Sequence, residues 1–403
     1  MKSSILTSWF VYVALFCVAV CIGNRGHVPF LYLAFCIGVM EVIFCNIKSN
    51  FCFSLFLVPN IRILDDIGIS FAVNILMVLP FLKYLLVTRK IQPGILIYVI
   101  AFGIIEFAHD MVYGKWEGLL PMLCWLLSFM YCMSIFLNRS IKFTLSNLYD
   151  SFFYGIGVSS LTYFLTHSEY TVDLLRKTVM GYRFEAYGND PNYFSMYICI
   201  AIALLFALPR KNLLHQGMLL GLIFIGLLTG SKMYLLLLFF ILIYVFFTQG
   251  LKRGKEANFI RHSALWLLLG AIAVSKQLVI FINNFIKRAG LHNSSLDLDT
   301  LTTGRSTWIY DYTNYFFSDW SAFFFGCGMS YNVVIGIHYH GAHNTYLDIA
   351  LSWGVLGIMV LVVAMYNLTR RAQLNWRKPL LYFLPLICVL LDFMDLSCFN
   401  ATM

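Results

Sequence analysis

Charge is the scarcest ingredient of this sequence. Only 12% of its 403 residues are Asp, Glu, Lys or Arg, while 60% are hydrophobic and the mean hydropathy is +0.79. A water-soluble protein of this length needs more charge than that to cover its surface. Cys-x-x-Cys pairs and zinc-type Cys/His spacings are also missing. Most of the 11 cysteines (Cys17, Cys21, Cys36, Cys45, Cys124, Cys132, Cys199, Cys388) fall inside apolar runs and read as small membrane-embedded hydrophobes. Neither disulfides nor a structural metal is therefore expected. Short segments of strict apolar/polar alternation are lacking, which excludes a transmembrane barrel. No internal repeat, low-complexity tract or separate soluble domain is visible.

What the chain does have is long apolar runs. They cover about residues 6–23, 29–45, 67–88, 93–111, 118–138, 146–167, 192–208, 213–230, 233–249, 264–282, 345–368 and 379–396. Runs of about 20 apolar residues match the hydrocarbon thickness of a bilayer. The expected fold class is all-α: a polytopic integral membrane protein of about 12 transmembrane helices forming a single transmembrane domain, 1–403. One more apolar stretch, Phe51–Leu64, is too short to span and is broken by Pro59, so it reads as a short span or a re-entrant piece. The first run follows a single lysine and shows no small-residue cleavage site, and reads as a retained first helix.

The net charge of +9 comes from 28 Lys+Arg against 19 Asp+Glu. These basic residues are spread over short loops and do not form a nucleic-acid-binding patch. Arg89-Lys90, Arg139/Lys142, Arg210-Lys211, Lys252-Arg253-Lys255/Arg261 and Arg370-Arg371/Arg377-Lys378 mark the cytoplasmic side by the positive-inside rule. Two longer loops, 168–191 and 283–344, then fall on the opposite face together with the junction Thr229-Gly230-Ser231-Lys232. Within the second loop, Leu301–Phe317 mixes aromatic and polar residues at loosely helical spacing, as expected of a short helix at the membrane surface.

The residues able to do chemistry gather on that outer face. Arg305 has the forked donors that suit a phosphate or diphosphate. Its competing reading is an interfacial arginine snorkelling toward headgroups. Lys232 sits between two apolar helices, where a charge is costly and suggests function; an interfacial helix-end lysine is the alternative. Arg183 precedes Asn189-Asp190-Pro191-Asn192, a turn and helix start in which Asp190 or Asn192 caps exposed N–H groups. His343-Asn344 opens the next apolar run, and a histidine there suits a general base or a phosphate donor. His338 and His340 lie nearby, but the spacing of the three histidines matches no helical metal-ligand pattern. Asp348 is placed to face His343 across one turn, or to serve as a satisfied polar group between helices. Asp65-Asp66 and Glu106/His109/Asp110 are the remaining acids near apolar runs. A buried Glu106 is the one sign of a proton-coupled transporter.

The ordered set Arg183, Asn189-Asp190-Pro191-Asn192, Thr229-Gly230-Ser231-Lys232, Thr303-Gly304-Arg305, Gly326-Cys327-Gly328, His343-Asn344-Thr345-Tyr346-Leu347 and Gly354-Val355-Leu356-Gly357 resembles the bacterial O-antigen polymerase and O-antigen ligase superfamily. The resemblance covers about residues 180–365. It implies an inner-membrane, GT-C-like, metal-independent glycosyltransferase that needs no cofactor and acts on undecaprenyl-diphosphate-linked glycans at the periplasmic face. By the same resemblance, Arg305 and His343 are the catalytic residues. Lys232, Arg183, Asn192, Asn344 and His340 bind the diphosphate or glycan. The family carries arginine where this chain has Lys232, so the charge is kept and the fork is lost. The implied partners are a lipid-linked donor and acceptor, membrane lipid, a chain-length regulator and a flippase, and no nucleic acid. Polymerase, ligase and transporter readings all stay open, with polymerase the expectation.

Overall fold

The structure is a computed structural model. It describes residues 9–68, 72–89, 93–114, scattered positions from 116 to 141, 144–166, 183–188, 190–208, 212–250, 255–273, 279, 283, 305–337 and 345–371. Among these residues every regular element is a helix. The helices are α1 (Trp9–Gly23), α2 (Pro29–Phe44), α3 (Ile47–Leu57), α4 (Ala72–Thr88), α5 (Pro93–Tyr113), α6 (Leu145–Thr166), α7 (Pro191–Ala207), α8 (Leu213–Leu228), α9 (Lys232–Val245), α10 (Lys255–Ala273), α11 (Arg305–Ser318), α12 (Trp320–Phe325), α13 (Tyr331–Ile335) and α14 (Thr345–Arg371). Among the described residues two segments, Gly94–Tyr113 and Leu347–Ala364, are long and apolar enough to cross a membrane. Six further apolar helices run 10–17 residues. At 1.5 Å per residue such helices reach about 15–25 Å, against about 30 Å of hydrocarbon.

The chain forms two compact units. The first comprises Met1–Leu76, Phe143–Arg288 and Lys378–Val389, and the second Met77–Lys142, Ala289–Arg377 and Leu390–Met403. In the first unit, Asn46 caps α3 by accepting the Ser49 N–H at 2.9 Å. Everything from Asn50 to Leu57 is then buried. The stretch around Phe51 is therefore an 11-residue internal helix, about 16 Å long, and ends in a 3-10 turn carrying Pro59. Asn60 closes that turn by donating to the carbonyls of Phe56 and Gly155, both at 2.9 Å. Gly155 of α6 lets the two backbones meet, since a Cβ there would lie 2.5 Å from the Phe56 oxygen. The Ser159 hydroxyl donates to the Pro59 carbonyl at 3.0 Å and accepts the Tyr187 N–H at 3.1 Å. The α3–α6 contact thus fixes the loop that carries Arg183.

In the second unit, α11 and α12 pack on α14, and α5 packs on the same helix. Their shared core includes Tyr312, Cys327, Tyr331 and Leu351. Within the stretch Leu301–Phe317, a helix is observed as α11, starting at Arg305. Gly354 breaks α14 with φ 62 and ψ −171. Such a break leaves carbonyls of the preceding turn without helical donors. The loop after α12 supplies those donors: the Cys327 N–H reaches Leu351 O at 2.7 Å, and the Gly328 N–H reaches Ser352 O at 2.9 Å. The next N–H along, Met329, donates to Glu106 Oε1 of α5 at 2.8 Å.

Candidate functional site

The clearest polar site lies in the first unit, where α7 and α9 begin side by side. Asp190 caps α7 by accepting the Asn192 N–H at 2.6 Å, and Pro191 takes the first helical position, where no N–H is needed. Ser231 caps α9 by accepting the Tyr234 N–H at 3.3 Å. Its hydroxyl also donates to Asn192 Oδ1 at 2.9 Å, which locks the two helix starts together. Between α8 and α9 the chain turns at Gly230, whose φ of 56 suits glycine. Thr229 and Ser231 are both buried in that turn.

Arg183 bridges this junction. Its Nη2 donates to Asn192 Oδ1 at 2.5 Å and its Nε donates to the Thr229 carbonyl at 3.3 Å. The loop below it is tied down by the Phe184 N–H, which donates to Leu228 O at 3.1 Å. Arg183, Asn192 and the Thr229–Lys232 junction, which are well separated along the chain, therefore form one cluster. Lys232 is the first residue of α9; its side chain lies outside the described residues. The cluster joins a guanidinium to two helix N-termini, whose dipoles favour negative charge. Such an arrangement suits an anion with several oxygens.

The remaining expected residues belong to the second unit. Arg305 is the first residue of α11, its side chain outside the described residues. His338, His340, His343 and Asn344 also lie outside them. Asp348 is buried and accepts the Tyr331 hydroxyl, and the reading in which it faces His343 lies outside the described residues. Glu106, His109 and Asp110 share one buried face of α5, and Glu106 fastens that helix to the Met329 backbone.

Two charged residues not singled out in the sequence belong to the Arg183 loop or hold it. The Arg62 N–H donates to the Tyr187 carbonyl at 3.1 Å, and its Nε lies 3.9 Å from Asp65 Oδ2. Glu185 is half-buried, and burial raises its pKa against the pull of Arg62 and, more weakly, Arg183; Asp190 raises it further. Burial likewise raises the pKa of Asp65, with Arg62 opposing. Glu185 stands two residues from Arg183, so a closer reading of that loop would have flagged it. Arg62 carried no such signal, because it is remote in sequence from the loop that it holds through the Tyr187 carbonyl. The chain matches no protein-family model, and no curated protein is significantly similar to it.

Proposed function

We propose that this chain is an O-antigen polymerase, a metal-independent glycosyltransferase that joins undecaprenyl-diphosphate-linked repeat units on the periplasmic face of a bacterial inner membrane. The observation that carries the reading is the junction of Arg183, Asn192, Thr229 and Ser231 at two helix N-termini. These are motif residues of the resemblance, and their gathering makes a cradle suited to a diphosphate. On this reading the fold is a multi-pass GT-C-like bundle of about 12 spans. Arg183 and Lys232 hold the donor diphosphate, and the resemblance gives Arg305 the role of stabilising the charge that develops as it leaves. His343 orients the acceptor hydroxyl or removes its proton, and His340 and Asn344 line the glycan path. A groove of about 780 Å³ between α6 and α8, lined by Ile156, Gly157, Gly217 and Gly221 among others, offers apolar room for part of the polyprenyl chain.

The test is a gel of surface lipopolysaccharide from a strain lacking the protein, with and without the wild-type copy. Lipid A core carrying a single repeat, restored to a ladder by the wild type, supports the polymerase. Core without any repeat, with long lipid-linked polymer accumulating, identifies a ligase. An unchanged ladder refutes both.

One observation favours a second reading. Glu106, His109 and Asp110 are all buried on one helical face of α5, and ionisable groups in a membrane helix commonly line a transport path. A flippase predicts core without repeats and single lipid-linked units that accumulate, which the same experiment separates from either enzyme.

A further inference from the structure

We propose that Glu185 is an acid–base residue of the Arg183 site, its carboxylate taking the proton of the acceptor sugar hydroxyl. The inference rests on the glycosyl-transfer reading.

Glu185 stands on a loop held from three sides. The Phe184 N–H donates to Leu228 O, the Tyr187 N–H to Ser159 Oγ, and the Arg62 N–H to Tyr187 O. Within the loop, the Gly188 N–H donates to the Glu185 carbonyl at 2.9 Å. Phe184, Ala186 and Tyr187 are buried, whereas Arg183 and Glu185 stay partly exposed. The loop thus presents two charged side chains and hides its other bulk. Ala186 takes a left-handed conformation, φ 48, which alanine adopts reluctantly. Strain of that kind persists where surrounding structure enforces it, and it concentrates at functional positions.

The carboxyl of Glu185 is unused by the fold. Among the described residues its side chain accepts no hydrogen bond and makes no close ion pair. The Nε of Arg62 is likewise buried without a hydrogen-bond partner. The charged groups around Glu185 are Arg62 from the turn after α3, Arg183 from its own loop and Asp190 at the start of α7, with Asp65 beside Arg62. Burial raises its pKa and the two guanidiniums oppose the rise, which brings the group nearer to neutral pH, where a general base works best.

The two side chains stand two residues apart on one loop, at most about 7 Å along the backbone, and both are partly exposed while Phe184 between them is buried. In this proposal the diphosphate lies on Arg183 and the Glu185 carboxylate across the anomeric carbon from it. The acceptor oxygen bonds to that carbon as its proton passes to the Glu185 carboxylate. The bond from the carbon to the diphosphate oxygen breaks, and its electron pair leaves with the lipid diphosphate. The product linkage is inverted.

The test uses membranes containing the full chain and lipid-linked repeat units extracted from the deletion strain. Polymer formation is followed from pH 5 to pH 9. Glu185→Gln is expected to lower kcat about 100-fold or more with KM little changed, as loss of a general base does. The wild-type rate is expected to rise with pH through a midpoint above the ordinary glutamate range, Glu185→Asp to keep part of the rate, and E185Q to lose that limb. An inactive Arg183→Ala beside an E185Q of wild-type rate and unchanged pH profile overturns this inference and leaves the polymerase reading intact. An E185Q protein whose thermal midpoint falls, without rescue by Glu185→Asp, also overturns it. Wild-type membranes that make no polymer remove the glycosyl-transfer reading, and this inference with it.

Discussion

At the scale of single residues, the fork of Arg183 is the feature most open to a direct test. One guanidinium spans a side-chain oxygen on α7 and a backbone oxygen at the end of α8. A lysine keeps the charge but offers a single ammonium in place of a planar fork. Arg183→Lys is therefore expected to shorten the surface ladder and Arg183→Ala to abolish it, both at normal protein level by immunoblot. A wild-type ladder from Arg183→Ala would refute the assignment. Ala186 gives a second residue-scale expectation. Left-handed backbone costs a non-glycine residue about 1–2 kcal/mol, and a β-branched one more. Glycine relieves that strain but loses a buried methyl, worth about 0.8 kcal/mol, and adds unfolded-state entropy of about 0.5–1 kcal/mol. Ala186→Gly should leave stability within about 1 kcal/mol, whereas Ala186→Val should clearly lower the thermal midpoint in detergent. The cap at Asp190 and the grouping of Arg183 with the Thr229–Lys232 junction were legible in the sequence, because Asx-Pro turns and polar breaks between apolar runs have local causes. Arg62 was not, since a contact so remote in sequence leaves no local trace.

At the scale of elements, α14 and the loop after α12 interlock through their glycines. A Cβ on Gly326 would lie 2.4 Å from the Ser352 oxygen, and one on Gly354 would lie 2.5 Å from Phe324 backbone atoms. Both glycines also have positive φ. No backbone can yield that much, so Gly326→Ala and Gly354→Ala should each sharply reduce the yield of folded protein from detergent extraction. In α8, a Cβ on Gly217 or Gly221 meets nothing within 4 Å. There the helix preference for alanine, about 1 kcal/mol, decides the sign, and Gly221→Ala should raise the thermal midpoint. Equal behaviour of the two pairs would show the interlock to be wrong. Glu106 extends the same device to α5. Glu106→Gln keeps an acceptor for the Met329 N–H and should be tolerated, while Glu106→Ala leaves that buried donor unpaired and should cost about 1–3 kcal/mol. Most helices were readable from apolar runs, since burial and membrane insertion both demand them. The stretch holding α3 was legible only as a short span or re-entrant piece, and α12 and α13 were not legible, because helices of 5–6 residues have neither the length nor the amphipathic stripe that marks one. The break at Gly354 was also hidden, since glycine is common in apolar helices and its φ is set by what packs against it.

At the scale of the whole molecule, the distribution of basic loops makes a prediction about sidedness that no single contact carries. Positive residues near helix ends are retained on the cytoplasmic side. The loops holding Arg89-Lys90 and Lys252-Arg253-Lys255 should accordingly face the cytoplasm. The segments 168–191 and 283–344, with the Thr229–Lys232 junction between them in sequence, should face the periplasm. This arrangement is what a polymerase requires, because repeat units are joined after their transfer across the membrane, and a diphosphate cradle on the cytoplasmic side would have no substrate to hold. The measurement begins from a variant in which the 11 native cysteines are replaced. Single cysteines are then introduced by Thr171→Cys, Ser294→Cys and Lys255→Cys, and intact cells are treated with a membrane-impermeant maleimide. Thr171→Cys and Ser294→Cys should label without permeabilisation and Lys255→Cys only after it. The reverse pattern would place Arg183 and Glu185 in the cytoplasm and end the polymerase assignment, whatever the chemistry of the cluster. Labelling of Thr171→Cys but not Ser294→Cys would separate the two loops and remove Arg305 and His343 from the same reaction, leaving Arg183, Asn192 and Glu185 to account for the activity alone.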